Sequence, residues 1–178
     1  MARKLRVWYP GAMFHITSRG NRRAAIFYDE NDQRAYFDIL EQARIYYPFH
    51  LHAYCLMTNH IHLQLETINH HPKDIMKMLN SRYALYFNKR HRLVGHVFQG
   101  RYGAELIETI DYELEVSRYI HLNPLEAEMV NKPEEYRWSS YRAYVLGEEN
   151  PHVRTERILG HFKEPREVGY RRFVEGEV

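Results

Sequence analysis

The chain has 178 residues, of which 44% are hydrophobic and 27% charged, and its net charge is +2, an ordinary composition for one globular domain. No apolar run approaches the roughly 18 residues of a membrane span, and the basic N-terminal stretch is not followed by the apolar segment of a signal peptide. The single cysteine, Cys55, excludes a disulfide framework. We therefore expect a cytoplasmic protein without membrane contact.

The charges are unevenly distributed along the chain. Residues 1–28 contain six Arg or Lys and no acid, and residues 73–102 contain seven against one Asp. Residues 105–149 reverse this pattern, with eleven acids against four bases. Together with fifteen tyrosines and twelve histidines, this asymmetry favours a basic surface that binds a polyanion with unstacked bases, although a solvated charged face is the alternative.

Residues 12–19 show the apolar alternation of a first strand, and a basic loop follows them. A helix is expected to begin at Asn31 or Asp32, both good N-cap residues, and to run to about Tyr47. The residues of its predicted apolar stripe are Tyr36, Phe37, Leu40, Ala43 and Tyr47.

Residues 50–57 and 60–66 are predicted to form two further strands. The two residues between them leave room only for a tight turn, so the strands must form an antiparallel hairpin. Pro72 suits the first turn of a second helix, which should run to about Lys89.

Residues 95–108, which contain several glycines, are expected to include one or two more strands. Thr109 is a good N-cap for a third helix. This helix should end near residues 121–122, because Pro124 disfavours the helical conformation of the residue before it. A short helix is expected within residues 133–147.

This order of elements, with its antiparallel hairpin, favours an α+β fold: a ferredoxin-like antiparallel sheet with helices packed on it. We assign residues 1–148 to this domain. Residues 149–178 are charged and weakly patterned, which indicates a C-terminal tail or small appendage.

Two His-x-His pairs lie in the predicted hairpin. On one face of the third strand the alternation places His60, His62, Gln64 and Glu66. Neighbouring imidazoles can bind a divalent metal, but such a pair also fits the polar side of a half-buried strand. The other pair, His50 and His52, should face away from His60 and His62 if the hairpin has a two-residue turn, so spacing alone does not choose between the faces.

Tyr119 and Asn123 are four residues apart and would share a face of the third helix. Near two histidines they make a coherent phosphoryl-transfer site, in which the imidazoles and the amide oxygen hold Mg²⁺ or Mn²⁺ and the tyrosine attacks phosphorus. A phenol has a pKa near 10 and needs help from a metal, a base or nearby cations. The alternative for Tyr119 is a plain core aromatic.

Five motifs extend over about residues 7–145 and carry a resemblance to a known family. They are FHITSRGNRRAAIF (14–27), MTNHIHLQLE (57–66), HVFQGRYGAELI (96–107), SRYIHLNPLEA (117–127) and YRWSSYRAY (136–144). In this order they resemble the HUH single-strand DNA transposases with one catalytic tyrosine, and among these the REP-associated tyrosine transposases.

The resemblance implies the HUH nuclease architecture, with His60 and His62 on a central strand, Asn123 as the third metal ligand and Tyr119 as the nucleophile. It implies Mg²⁺ or Mn²⁺ as the cofactor and no nucleotide cofactor. The expected activity is cleavage and rejoining of single-stranded DNA near hairpins through a 5′-phosphotyrosine intermediate with a free 3′-OH.

The expected partner is single-stranded or hairpin DNA, so the protein should associate with the nucleoid when bound, as a monomer or a homodimer. Binding should depend strongly on salt because cations contact phosphates. The candidate DNA-binding residues are Arg19, Arg22, Arg23, Lys77, Arg82, Lys89, Arg90 and Arg92.

Other interpretations stay open. A domesticated relative could bind hairpin DNA with little or no strand transfer, and an α+β domain could bind RNA through its tyrosines. A replication initiator or relaxase could use Tyr112, two turns before Tyr119, as a second nucleophile. His15 and His121 should lie near the site, where we favour a packed polar role for each.

Overall fold

The structure, a computed structural model, describes residues 7–176, so the basic residues Arg3, Lys4 and Arg6 lie outside the described range. The strands of that range are β1 (Met13–Arg19), β2 (Phe49–Met57), β3 (His60–Thr67) and β4 (Gly103–Ile107). The helices are α1 (Glu30–Tyr46), α2 (Pro72–His91), α3 (Ile110–Glu126), α4 (Tyr141–Val145), α5 (Glu156–Leu159) and α6 (Arg166–Glu175). None of these helices is long and apolar enough to cross a bilayer.

The strands form one antiparallel sheet in the order β2-β3-β1-β4, which confirms the predicted α+β fold. Helices α1 and α2 cover one face through a core that includes the buried residues Tyr36, Leu40, Leu63, Leu79 and Tyr83. Helix α3 packs on the other face, where Val116 and Ile120 meet Cys55 and Met57. Cys55 is fully buried, and burial raises the pKa of its thiol.

The hairpin register contains a β-bulge at His52. Near the turn, Met57 pairs with His60 as predicted, but the register shifts between Leu51 and Ala53. Beyond that point His50 pairs with Glu66, and His52 Nε2 lies 2.7 Å from the Glu66 carboxylate. The prediction that His50 and His52 face away from His60 and His62 is therefore wrong, because the extra residue in the bulge reverses the alternation.

Helix α1 begins at Glu30, one or two residues earlier than predicted. Its N-cap is Asp29, whose carboxylate accepts hydrogen bonds from the backbone N–H groups of Asn31 and Asp32. Asp32 lies inside the helix and is fully buried, where it accepts hydrogen bonds from Tyr28 N–H and from the side chains of Arg90 and His91. These distant partners explain why its side chain is not free to cap the helix.

Helix α3 continues through Pro124 to Glu126, so the prediction that it ends near residues 121–122 is wrong. A proline removes one N–H donor from the helix. Pro124 is buried within α3, and helical hydrogen bonding is present after it, where Ala127 N–H donates to Asn123 O. Asn123 is thereby held in helical geometry one turn after Tyr119.

Residues 150–176 contribute α5 and α6, which pack against α3 and α4. The buried side chains of this cluster include Tyr141, Tyr144, Ile158, Tyr170 and Val174. His121 of α3 is fully buried there, with Nδ1 2.7 Å from Tyr170 Oη and Nε2 2.7 Å from Ser140 Oγ. The cluster lies behind α3 and holds that helix against the sheet. The division of the chain at residue 148 stays a prediction.

The buried His121 should make stability depend on pH. Burial lowers its pKa from 6.5 to about 3, so the unfolded chain binds more protons than the folded one between these values. Folding free energy contributed by neutral His121 is fully present above pH 6.5 and is lost as the pH falls. We expect a loss of about 2 kcal/mol from pH 7 to pH 5 for such a histidine, measured by urea unfolding. His121→Gln should reduce the pH dependence, and the exposed His161→Gln should not; an unchanged pH dependence in His121→Gln would contradict this assignment.

Candidate active site and nucleic-acid interface

A cavity of about 680 Å³ is lined by strands β1, β3 and β4 of the sheet and by residues 112–119 of α3. We call it the histidine cavity. Its lining includes His15, Arg19, His60, His62, Gln99, Arg101, Glu105, Tyr112 and Tyr119. Strand alternation presents His60 and His62 to the cavity, and the helical repeat presents Tyr112 and Tyr119.

The four residues predicted for catalysis and metal binding lie together. The imidazole rings of His60 and His62 have centroids 4.9 Å apart, and the Tyr119 ring lies 5.4 Å from that of His62. Asn123 Oδ1 is 3.2 Å from His60 Nε2, and its amide nitrogen donates to the Tyr119 carbonyl. Tyr119 is 45% exposed, so it is not a core aromatic and a DNA strand could reach its hydroxyl.

The donor atoms of this group fit a divalent cation. His62 Nε2 is buried and has no hydrogen-bond partner among residues 7–176, so its lone pair could coordinate a divalent cation. Burial lowers the pKa of His62 to about 3 and also lowers that of His60, so both imidazoles are neutral and can coordinate. Within the described part of the chain, no three His, Cys, Asp or Glu residues form a metal-binding group. The third ligand here would be the amide oxygen of Asn123.

His15 is more than a packed polar residue. Its Nε2 lies 3.0 Å from His62 Nδ1, and the two rings stack with centroids 5.2 Å apart. A hydrogen bond at Nδ1 determines the tautomer of an imidazole and leaves Nε2 available as an acceptor. His15 therefore orients the His62 ring and leaves its Nε2 as the unpaired nitrogen. His121, by contrast, lies in the cluster behind α3 and does not line the cavity.

Tyr112 and Glu105 are cavity residues of a different kind. The Tyr112 hydroxyl donates to Glu105 Oε2 at 2.8 Å, and this hydrogen bond raises the pKa of the phenol. A phenol held in this way is a poorer nucleophile. The sequence patterns did not identify Glu105 as a candidate site residue. It pairs with His15 across β1 and β4, so the two side chains lie on the same face of the sheet. Gln64 and Glu66, which were predicted to share the β3 face of His60 and His62, do not line the cavity.

The predicted DNA-binding cations fall into two groups, according to whether the protein's own side chains already engage them. Arg19 lines the histidine cavity, and the other exposed members follow β1 or lie on or just after α2. These exposed members are Arg22, Arg23, Lys77, Lys89 and Arg92. Arg82 and Arg90 are engaged within the protein: Arg82 donates to Gln42 Oε1, and Arg90 donates to Asp29 and Asp32. The six remaining cations form the candidate phosphate-binding surface.

Arg90 should therefore support folding more than DNA binding. Arg90→Ala removes a donor from the buried Asp32 carboxylate and should lower the urea midpoint of unfolding. The neighbouring Lys89→Ala should leave that midpoint unchanged but reduce the slope of log affinity for DNA against log salt by about 1. Measuring both quantities for both variants tests the division, and equal slopes for Lys89→Ala and the wild type would contradict it.

Comparison with solved structures supports the fold. A REP-associated tyrosine transposase bound to a REP hairpin aligns over 86% of this chain and 92% of its own, with TM-score 0.65 and 18% identity. A candidate transposase from Deinococcus radiodurans R1 aligns over 76% of this chain and 98% of its own, with TM-score 0.46 and 18% identity. No curated protein matches the sequence.

The family comparison matches residues 9–123 to the model of IS200-like transposases. This range extends from just before β1 to Asn123, so it includes His60, His62 and Tyr119. It confirms the resemblance to transposases that the sequence motifs indicated. The chain belongs to the IS200-like transposase family.

Proposed function

We propose that this protein cleaves and rejoins single-stranded DNA at hairpin elements, with Tyr119 as the nucleophile. The observation that carries the proposal is the position of the exposed Tyr119 ring, 5.4 Å from that of His62, whose Nε2 is buried and unpaired. His60, His62 and Asn123 would hold Mg²⁺ or Mn²⁺. Bound there, the ion would supply Lewis-acid stabilisation to a phosphate and to the attacking phenol oxygen.

In the proposed reaction the Tyr119 oxygen loses its proton and forms a bond to the scissile phosphorus. The bond from phosphorus to the 3′-oxygen breaks, and that oxygen takes up a proton to become a free 3′-OH. The product is a 5′-phosphotyrosine, and attack by a 3′-OH reverses the step, so rejoining needs no nucleotide cofactor. Arg19 and Arg101 line the cavity and would stabilise the charge that develops on the phosphate oxygens.

Hairpin DNA is the proposed substrate class. One solved structure with this fold is a REP-associated tyrosine transposase bound to a REP hairpin, and we assign the present chain to the same REP-associated group. The candidate phosphate-binding surface leaves out Arg90, which donates to Asp29, and Arg82, which donates to Gln42. Its six cations take part in neither contact. They would bind the hairpin backbone, and the protein would work at the nucleoid.

Incubation with hairpin oligonucleotides from the DNA that flanks the gene tests the proposal. A protein–DNA adduct that survives denaturation and requires Mg²⁺ or Mn²⁺ is the expected result. Chelation should abolish it. Tight hairpin binding without an adduct under any metal would instead support a domesticated binding protein, and binding of RNA alone would remove the transposase assignment of this site.

A further inference from the structure

Strand β3 presents two more polar side chains on the face of its histidine pair. Gln64 and Glu66 follow His60 and His62 at the strand's period of two residues. Gln64 is fully buried and the Glu66 side chain is largely buried. Neither lines the histidine cavity, and the proposed reaction uses neither. Burial of two such polar groups is costly without partners, so their contacts indicate what they do.

Gln64 connects β3 directly to the first turns of α3. Its amide nitrogen donates to the backbone oxygen of Glu113 at 3.0 Å. Its Oε1 is buried and has no hydrogen-bond partner among the described residues. An amide that is half satisfied in this way adds little net stability, because the unpaired oxygen offsets the gain from the bond. What the contact does provide is a fixed distance between the strand and the helix.

Arg157 of α5 makes a second connection between the same strand and helix. Its Nε and Nη2 donate to the two carboxylate oxygens of Glu113 at 2.6 and 2.9 Å. Its Nη1 lies 4.0 Å from Glu66 Oε2, and that oxygen also lies 2.7 Å from His52 Nε2. The guanidinium therefore spans one carboxylate on α3 and one on β3. A bidentate contact of this kind determines orientation as well as distance.

The pair of Arg157 and Glu113 is buried on one side only. The Glu113 side chain is 4% exposed, whereas that of Arg157 is 48% exposed. Solvent screens the half-exposed guanidinium, so the pair contributes little to the stability of the whole fold. Glu113 nevertheless needs a charged partner where it is buried. Without Arg157, the carboxylate would move toward water and would carry the first turns of α3 with it.

These contacts and a contact of Asn123 hold α3 on either side of Tyr119. Glu113 precedes Tyr119 by six residues, about 9 Å along the helix axis. Asn123 follows Tyr119 by four residues, and its Oδ1 lies 3.2 Å from His60 Nε2. The two attachments to β3 together set the height and the tilt of the helix. Misplacement of a reacting group by about 1 Å can slow a reaction about 100-fold.

We propose that Arg157 and Gln64 are positioning residues for the nucleophile. They hold the first turns of α3 against β3 and so determine where Tyr119 lies relative to the two histidines. Both act through Glu113 and contact neither the scissile phosphate nor the ion. The inference rests on the proposed function and deepens it, because it gives the C-terminal segment of residues 150–176 a part in the rate of cleavage.

Arg157→Gln and Arg166→Gln form a matched pair for the test. The Arg166 side chain is 46% exposed and pairs with Glu164 of its own segment. Arg157→Gln should slow single-turnover adduct formation about 10- to 100-fold and change hairpin affinity less than about threefold, because only the nucleophile is displaced. Arg166→Gln should match the wild type in both. Arg157→Lys keeps the charge without the paired hydrogen bonds and should recover part of the rate.

Gln64→Met tests the direct connection with a variant that should stay folded. Methionine is similar in length, and it removes the unpaired buried oxygen together with the amide donor, so the urea midpoint should change little. We expect adduct formation to slow by about 10-fold at unchanged hairpin affinity. Amides of residues 114–119 should exchange hydrogen faster than in the wild type, in protein without DNA or metal.

Three results would overturn the inference. The first is wild-type rates of adduct formation in Arg157→Gln and Gln64→Met. The second is a parallel loss of rate, hairpin affinity and urea midpoint, which would mark a purely structural role. The third is a slower rate with unchanged amide exchange in α3. In each case an adduct in the wild type leaves the proposed function intact. If the wild type forms no adduct, the proposed function is refuted, and the positioning role with it.

Discussion

Tyr119→Phe should abolish the covalent protein–DNA adduct, with a loss of at least about 10³-fold in the rate of its formation. Removing a covalent nucleophile eliminates the step itself, so the residual rate is that of the rest of the site. Because Tyr119 is 45% exposed, the loss of its hydroxyl should leave the fold and hairpin binding unchanged. Denaturing gel electrophoresis measures the adduct, and a binding assay on the same protein measures retained affinity.

Tyr112→Phe is the matched control for that experiment. Tyr112 lines the same cavity two turns earlier on α3, but its hydroxyl donates to Glu105. We expect this variant to retain adduct formation within a few-fold of the wild type. An adduct that persists in Tyr119→Phe and disappears in Tyr112→Phe would exchange the two roles. Loss in both variants would indicate a two-tyrosine mechanism.

His62→Ala should remove high-affinity divalent metal binding and, with it, adduct formation. The variant deletes a neutral imidazole whose buried Nε2 has no hydrogen-bond partner among the described residues. We expect a fall in Mn²⁺ affinity of at least about 100-fold, measured by electron paramagnetic resonance of free Mn²⁺. His50→Ala offers a control, because His50 belongs to the other His-x-His pair and lies at the far end of the hairpin. Equal Mn²⁺ affinity in His62→Ala and the wild type would contradict the ligand assignment.

His15 provides a finer test of the same site. We do not assign His15 as a metal ligand, but its hydrogen bond to His62 Nδ1 orients the His62 ring. His15→Ala should weaken Mn²⁺ binding by about 10- to 100-fold, the usual effect of losing such a partner. His15→Gln keeps a side chain that can accept a hydrogen bond and should recover part of the affinity. Full affinity in His15→Ala would show that packing alone orients His62.

Local patterns predicted most of the secondary structure because their causes are local. Pro72 in the first turn of α2 and the Thr109 cap of α3 depend only on neighbouring residues, and both are found as expected. The tight turn before His60 likewise determined the start of the hairpin. The antiparallel sheet followed from these elements, since a two-residue connection permits no other pairing.

The errors arose where distant residues decide the local structure. The bulge at His52 is stabilised by Glu66 across the hairpin and by the backbone of Arg154, about a hundred residues later. Arg90 has the sequence context of a surface cation, yet it pairs with Asp32 from another helix. No window of neighbouring residues contains that information. The packing of α6 on α3 was hidden for the same reason, because the α3 partners of Tyr170, His121 and Ser117, lie 49 and 53 positions earlier.

The candidate site shows the same division. The histidine pair, Tyr119 and Asn123 could be selected from motifs. The structure places the histidine pair and Tyr119 in one cavity and Asn123 beside His60, while their roles stay predictions. Glu105 and Arg101 could not be selected, because a short strand and an irregular segment carry no spacing rule. Glu105 enters the cavity through the pairing of β4 with β1, and Arg101 follows a segment that is hydrogen-bonded to the end of β1 through Gln99 N–H and Arg19 O.

The burial of Cys55 has a practical consequence for labelling. The chain has one cysteine, and its thiol is inaccessible and held protonated by its surroundings. A Ser81→Cys protein would therefore carry one reactive sulfur, at an exposed position of α2. A fluorophore attached there would report the binding and release of a DNA strand in real time, without any change to the DNA.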